Sequence, residues 1–79
     1  MTALDERLRG VFADAFDTTP EAIDESLSMA TSGEWDSMRS IVLATSIEAE
    51  FEIEFRDDEL VELDSYQKIR TALTEKGVR

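Results

Sequence analysis

The apolar residues in the N-terminal part of this chain recur at helical spacing, and this periodicity constrains the fold more than any other feature. Residues three and four positions apart lie on one face of an α-helix. We therefore predict a first helix from about Ala3 to Phe16, with Thr2 and Asp5 resembling a capping box at its start. Its apolar stripe consists of Leu4, Leu8, Val11, Phe12, Ala15 and Phe16.

Three more helices are predicted in the C-terminal half. Asp36 and Ser37 can cap and begin a second helix that extends to Phe51. Because its apolar residues cover a wide arc, we expect this helix to lie at the centre of the fold. Asp57-Asp58 would start a short helix, and Asp64-Ser65 would cap a last one that ends near Gly77. The residues of the wide arc are Met38, Ile41, Val42, Leu43, Thr45, Ile47, Ala49 and Phe51.

The segments between these helices lack helical periodicity. Residues 17–36 form a long loop in which Pro20 can start one short helical turn and Ile23, Leu27 and Met29 can contact the core. Residues 51–55 alternate apolar and acidic side chains like a β-strand, but nothing else resembles a partner strand, so we predict an extended linker. The predicted fold is all-α, a four-helix bundle of three longer helices and one short helix, with a long loop between helices one and two.

Length and charge limit the possible functions. The 79 residues form one domain, residues 1–79, because they cannot fill two cores. The net charge of -11 excludes nucleic acid, whose phosphates would be repelled, and favours basic protein partners. The 42% apolar content, with clear periodicity, argues against disorder.

We expect a cytoplasmic monomer, because no apolar run reaches the ~18 residues of a membrane span and the N-terminus does not resemble a signal peptide.

The chain contains neither cysteine nor histidine, which removes the usual nucleophile and base pairs and the thiolate or imidazole ligands of metal sites. An EF-hand pattern is absent, and the carboxylates lack an apolar context that would separate their pKa values. We therefore predict a protein that is not an enzyme and holds no metal. The remaining candidate is Asp36-Ser37, where helix N-terminal N–H groups would stabilise a phosphate on the serine, although the pair alone is typical of ordinary capping.

Several motifs follow one another in order from Trp35 to Leu73. They are Asp36-Ser37-Met38, then residues 48–55 with the sequence EAEFEIEF, then residues 57–60 with the sequence DDEL, and then Ser65-Tyr66-Gln67. Together they resemble the acyl carrier protein family. The resemblance implies that Ser37 is joined by a phosphodiester to 4'-phosphopantetheine, whose thiol carries an acyl group as a thioester. A magnesium-dependent phosphopantetheinyl transferase would install this arm from coenzyme A.

The resemblance also implies roles for the neighbouring residues. Ser37 would bind the cofactor together with Asp36, Met38 and Trp35, although Trp35 could instead be a plug over the core. A docking face would serve acyl-activating, condensing or acyl-transfer enzymes with basic surfaces, although such acids can equally form a solvated face. Its predicted residues are Arg39, Val42, Glu48, Glu50, Asp57, Asp58 and Glu59.

The sequence departs from the family pattern near the serine. Arg39 and Val42 replace acids that are common in carriers of fatty acid synthesis, and Gly33-Glu34-Trp35 replaces Asp-Leu-Gly. These differences favour a dedicated polyketide, lipid or cell-envelope pathway over general fatty acid synthesis. A D-alanyl or aminoacyl carrier and a non-catalytic acidic adaptor remain alternatives. Residues that could line an acyl cavity, or simply fill the core, are Met38, Ile41, Ile47, Phe55, Leu60, Leu63, Tyr66 and Ile69.

Overall fold

The computed structural model describes residues 3–78, and within them the predicted helical bundle is confirmed. The helices are α1 (Ala3–Phe16), α2 (Ser37–Phe51), α3 (Asp57–Leu60) and α4 (Tyr66–Glu75), and a single 3-10 turn covers Pro20–Ala22. The predicted capping box cannot be assessed, because Thr2 lies outside the described residues. No helix within residues 3–78 combines the length and the apolarity needed to cross a bilayer.

The helices enclose one apolar core that is rich in aromatic rings. Phe12 of α1 lies at its centre, with ring centroids 5.5 Å from Trp35 and 5.2 Å from Tyr66. Aromatic rings bury large apolar areas and favour such edge-to-face and tilted contacts. The largest fully buried side chains are Leu8, Phe12, Leu43, Ile47, Tyr66, Ile69 and Leu73.

The long loop is fixed to the start of α4. Ile23 is buried, and Leu27 and Met29 pack partly buried against the core, as predicted. The backbone N–H of Tyr66 donates to the Leu27 carbonyl at 2.9 Å, and that of Met29 donates to the Asp64 carbonyl at 2.9 Å. These bonds fix the loop that leads into α2.

The predicted linker between α2 and α3 is extended, without strand pairing. Glu52 ends α2 in the left-handed region with φ 55°, and the Ile53 N–H returns to the Glu48 carbonyl at 3.1 Å. This closes the C-terminus of α2 in the manner of a left-handed cap. Phe55 is buried beyond it, and its N–H donates to Glu48 Oε2 at 2.8 Å.

Only one side of the wide apolar arc predicted for α2 is buried. Leu43, Ala44, Ile47 and Phe51 are buried, whereas the other side of the helix is exposed. The reason is geometric: α1 packs against one side, and the four-residue α3 is too short to cover the other. The exposed fractions are 77% for Met38, 67% for Ile41 and 51% for Val42.

Candidate functional site

Ser37 is the first residue of α2, and its side chain is exposed. Asp36 caps the helix, as predicted, because its Oδ1 accepts the Arg39 N–H at 2.8 Å and its carbonyl accepts the Ser40 N–H at 2.9 Å. The first N–H groups of a helix lack partners within the helix and favour an anion. The Ser37 hydroxyl is thus accessible and adjoins backbone that stabilises a phosphate.

Trp35 anchors the chain two residues before Ser37. Its side chain is only 3% exposed and makes edge contacts with Phe12 and Phe16, with ring centroids 5.5 and 5.7 Å apart. Its Nε1 donates to Ser40 Oγ at 2.6 Å. This burial supports the interpretation of Trp35 as a plug over the core, and the contacts hold the N-terminus of α2 against α1.

Arg39 lies on the side of α2 that faces α1. Its Nη1 donates to the Ala15 carbonyl near the end of α1, and its guanidinium lies 5.5 Å from the Phe16 ring centroid. A cation is favoured at the C-terminal end of a helix, where carbonyls lack partners. The contacts of Arg39 therefore fasten α2 to α1.

An apolar groove of about 410 Å³ begins beside Ser37. Of the residues suggested for an acyl cavity, Ile41, Leu60, Leu63 and Ile69 line it, with Ala44 and Ser40 beside them. Ile47, Phe55 and Tyr66 are buried in the core instead. The groove thus lies between α2, α3 and the beginning of α4, with the hydroxyl of Ser37 at its edge.

Most acids predicted for docking are engaged within the chain. Glu50 Oε2 lies 3.0 Å from Arg7 Nη2, and Glu48 accepts from the linker backbone. Glu59 accepts from the Arg56 N–H and from Lys76 Nζ, each at 3.0 Å, and these bonds lower the pKa of its carboxyl. Asp58 lies 3.3 Å from Arg56 Nε, and both side chains are exposed. Asp57, in the first turn of α3, is exposed as well.

A buried polar cluster joins α1 to α4, and the sequence analysis missed it. Asp5 is 5% exposed, and its Oδ1 accepts from the Tyr66 hydroxyl at 3.1 Å and from Arg70 Nε at 2.8 Å. Burial, followed by the bond to Asp5, raises the pKa of Tyr66 to about 12. The signal available in the sequence was an acid on the apolar side of the first helix, directly after Leu4.

Comparison with known families gives a match to the family model described as the phosphopantetheine attachment site, over residues 6–73. The chain belongs to this family. Its members carry a covalently attached 4'-phosphopantetheine group and are generally carriers without catalytic activity of their own. They act together with a phosphopantetheinyl transferase and with acyl-handling enzymes. The comparison with curated proteins found no match.

The residues around the start of α2 fit such a group in this carrier chain. The exposed hydroxyl at Ser37 can form an ester, and the first turn of α2 can stabilise the phosphate. The groove beside Ser37 provides apolar walls for a chain attached to the arm. Within residues 3–78, no group of acids is arranged to hold a metal ion.

Proposed function

We propose that this chain is an acyl carrier protein whose phosphopantetheine arm is attached to Ser37. The observation that carries the proposal is the position of this serine: exposed, first in a 15-residue helix, and at the edge of an apolar groove. Ser40, the next serine along α2, accepts from Trp35 and contacts Met29 Sδ at 3.6 Å, so its hydroxyl is held within the structure. Of these two serines, Ser37 is therefore the better attachment point for the phosphopantetheine arm.

The chain's own residues would present the acceptor, and the transferase would supply the catalysis. Asp36 and Trp35 hold the first turn of α2 in place, so that the backbone of Ser37 is fixed and its exposed hydroxyl is accessible to the transferase. The hydroxyl oxygen would attack the phosphorus that bears the pantetheine of coenzyme A. A phosphodiester would form as the pyrophosphate bond breaks, adenosine 3',5'-bisphosphate would leave, and the hydroxyl proton would pass to a base of the transferase. The bound arm supplies a thiol that holds cargo as a thioester, in a chain that has no cysteine.

The lining of the groove favours an acyl cargo over an aminoacyl cargo. Ile41, Leu63 and Ile69 offer apolar contact, and burying a CH₂ group gives about 0.8 kcal/mol. The ammonium group of a D-alanyl or aminoacyl cargo would lose hydration there, and the two carboxylates that line the groove are already engaged, Glu48 with the Phe55 N–H and Asp64 with Lys68. We place the chain in a dedicated polyketide, lipid or cell-envelope pathway, because Arg39 and Val42 stand where fatty acid carriers commonly have acids.

The test is modification by a broad-specificity phosphopantetheinyl transferase with coenzyme A and magnesium, followed by intact mass spectrometry. Wild type should gain one phosphopantetheine, and Ser37→Ala should gain none. Ser46→Ala, a serine further along the same helix, is the matched control and should be modified like wild type. An unmodified wild type, or modification of Ser37→Ala, would overturn the proposal.

The acidic adaptor makes the opposite prediction for the same proteins. If the chain acts only as an acidic adaptor, its partner enzymes should bind the unmodified protein and Ser37→Ala as tightly as they bind the form that carries the arm. For a carrier, binding or turnover by an acyl-handling enzyme should depend on the arm. Equal affinity and equal turnover with and without the arm would favour the adaptor.

A further inference from the structure

The groove beside Ser37 contains hydroxyl groups as well as apolar side chains. Leu63 and Ile69 line it from the side of α3 and α4, whereas Ser40 and Thr45 line it from α2. A saturated hydrocarbon chain gains nothing from such hydroxyl groups, because each loses hydration when the chain covers it. The hydroxyl groups therefore bear on which acyl chains the groove accepts.

The hydroxyl of Thr45 is already used within its own helix. Its Oγ1 donates to the Ile41 carbonyl, four residues earlier, at 2.9 Å. A hydroxyl has one proton to donate, and this back-bond uses it. Thr45 can thus accept a hydrogen bond from a cargo, but it cannot donate one without breaking its bond to Ile41.

The hydroxyl of Ser40 retains a proton that lacks a strong acceptor. Its Oγ accepts the indole N–H of Trp35 at 2.6 Å, which holds the oxygen in place. Among the described residues, the acceptor for its proton is Met29 Sδ at 3.6 Å, and a thioether accepts weakly. Because hydrogen bonds in a chain polarise one another, the bond from the indole makes this hydroxyl a better donor. Ser40 thus brings a fixed and weakly used donor to the groove.

Ser40 lies near the edge of the groove at which the arm would be attached. It follows Ser37 by three residues, which is about 4.5 Å along the helix axis. The groove continues along α2 past Ala44 to Glu48. An acyl chain that enters tip first from the Ser37 edge would keep its thioester end near that edge. The carbons next to the thioester would then lie closest to Ser40.

Resting on the proposed function, we propose that Ser40 determines cargo specificity by donating a hydrogen bond to an oxygen on the acyl chain, so that the groove takes 3-oxoacyl cargo in preference to saturated cargo. A keto oxygen gives the Ser40 proton the acceptor that Met29 provides only weakly. A saturated chain of the same length shields the hydroxyl from water and offers no acceptor, and a buried unpaired donor costs free energy.

The experiment compares the melting temperatures of protein loaded with octanoyl or with 3-oxooctanoyl cargo from the corresponding coenzyme A thioesters. Each loaded form is referred to the same variant with a free thiol, so changes in basal stability cancel. In wild type, the 3-oxooctanoyl form should melt about 4–8 °C above the octanoyl form, as expected for one hydrogen bond in a domain of this size. Ser40→Ala should lose this difference, and Ser40→Thr, which keeps the hydroxyl, should recover part of it.

Thr45→Val is the matched control. It removes a hydroxyl from the same groove, but one whose proton is already given to the Ile41 carbonyl. The difference between the two cargoes should therefore stay within about 2 °C of the wild-type value.

Trp35 supplies a second readout, because it is the one tryptophan of the chain and its indole N–H is bonded to Ser40. In proton–nitrogen NMR spectra, its indole resonance should lie further downfield with 3-oxooctanoyl than with octanoyl cargo, since donation by Ser40 strengthens the bond that Ser40 accepts. A purely structural Ser40 would leave this resonance the same for both cargoes.

Two results would overturn the inference and leave the carrier function intact, because both cargoes would have been attached. One is a wild-type octanoyl form that melts at least as high as the 3-oxooctanoyl form. The other is an advantage of 3-oxooctanoyl cargo that persists in Ser40→Ala. A wild type that cannot be loaded at all would instead refute the proposed function.

Discussion

At the scale of single residues, the bond between Tyr66 and Asp5 connects the last helix to the first. The Tyr66 side chain is fully buried, and its hydroxyl donates to a carboxylate that also accepts from Arg70. Buried polar groups need such partners, because an unpaired one costs the free energy of its desolvation. Because the neutral hydroxyl is the donor in this arrangement, the stability of the fold depends on its proton.

We predict that deprotonation of Tyr66 lowers the stability of the protein at high pH. Its pKa is raised from 10.0 to about 12, so the folded protein retains the proton over a range in which the unfolded chain releases it. The free energy of unfolding should therefore fall as pH rises from 10 towards 12. In Tyr66→Phe the fall should be smaller, and at neutral pH this variant should be about 1 kcal/mol less stable than wild type.

Urea unfolding of both proteins at neutral pH and at several pH values above 10.0 checks this prediction. Other groups titrate in the same range, but they are common to wild type and to Tyr66→Phe, so the difference between the two curves isolates the tyrosine. Parallel loss of stability in the two proteins would contradict the prediction.

This cluster also shows why pairs distant in sequence were missed. Asp5 and Tyr66 are 61 positions apart, and Asp5 and Arg70 are 65 apart. Periodicity within one helix reports which residues share a face, but it does not report what a second helix brings against that face. Asp5 was therefore interpreted as a local charge at the helix start, although its main partners lie on α4.

At the scale of elements, the placement of the Ser37 hydroxyl depends on how α2 is fastened to α1. Trp35 packs against Phe12 and Phe16, and Arg39 reaches the Ala15 carbonyl from the first turn of α2. These contacts lie on both sides of Ser37 in the sequence. The start of α2 is thus held from two directions, while its other face remains exposed.

We predict that Arg39→Ala lowers the free energy of unfolding by about 1–2 kcal/mol, because it removes a charged hydrogen bond and a contact with the Phe16 ring. Lys68→Ala makes the same change of charge at an exposed pair with Asp64 and should cost less than about 0.5 kcal/mol. Chemical denaturation measures both values. Equal effects of the two substitutions would mean that Arg39 contributes only its charge.

The elements themselves could be predicted well because their signals are local. The caps at Asp36 and Ser65, the proline at the 3-10 turn and the glycine after α4 lie within a few residues of the boundaries that they mark. The covered side of α2 could not be predicted in this way. Its apolar residues surround most of the helix, and only the packing of other elements, α1 above all, decides that Leu43 and Ile47 are buried while Met38 and Ile41 are exposed.

At the scale of the whole molecule, a net charge of -11 is held in a body about 29 × 28 × 19 Å in extent. Carboxylates about 8 Å apart repel one another by about 0.5 kcal/mol in water without salt. Several basic side chains are already engaged in ion pairs, for example Arg7 with Glu50 and Lys76 with Glu59. The excess of negative charge should therefore oppose folding.

We predict that the melting temperature rises by about 3–8 °C between low salt and about 0.3 M NaCl, which corresponds to about 1 kcal/mol for a domain of this size. Differential scanning calorimetry measures this shift. Sucrose at matched osmolarity is a control that does not screen charge. A melting temperature that is flat or falling with salt would show that self-repulsion does not limit stability.

The bundle could be predicted at this scale from its separate elements, and the family from the ordered motifs between Trp35 and Leu73. For the groove, the sequence provided only a set of apolar residues that could line it. Ile41 and Ile69 were candidates together with Ile47 and Tyr66, and the sequence does not separate residues that line a groove from residues that fill a core.

Peptide mapping by mass spectrometry of the protein isolated from its own cells tests the attachment at Ser37 most directly. Fragmentation of the peptide that spans Trp35 to Arg39 should locate one phosphopantetheine on Ser37 in at least part of the material, with or without an acyl group on its thiol. Native protein that is always bare at Ser37, or that carries the arm on another residue, would contradict the proposed function.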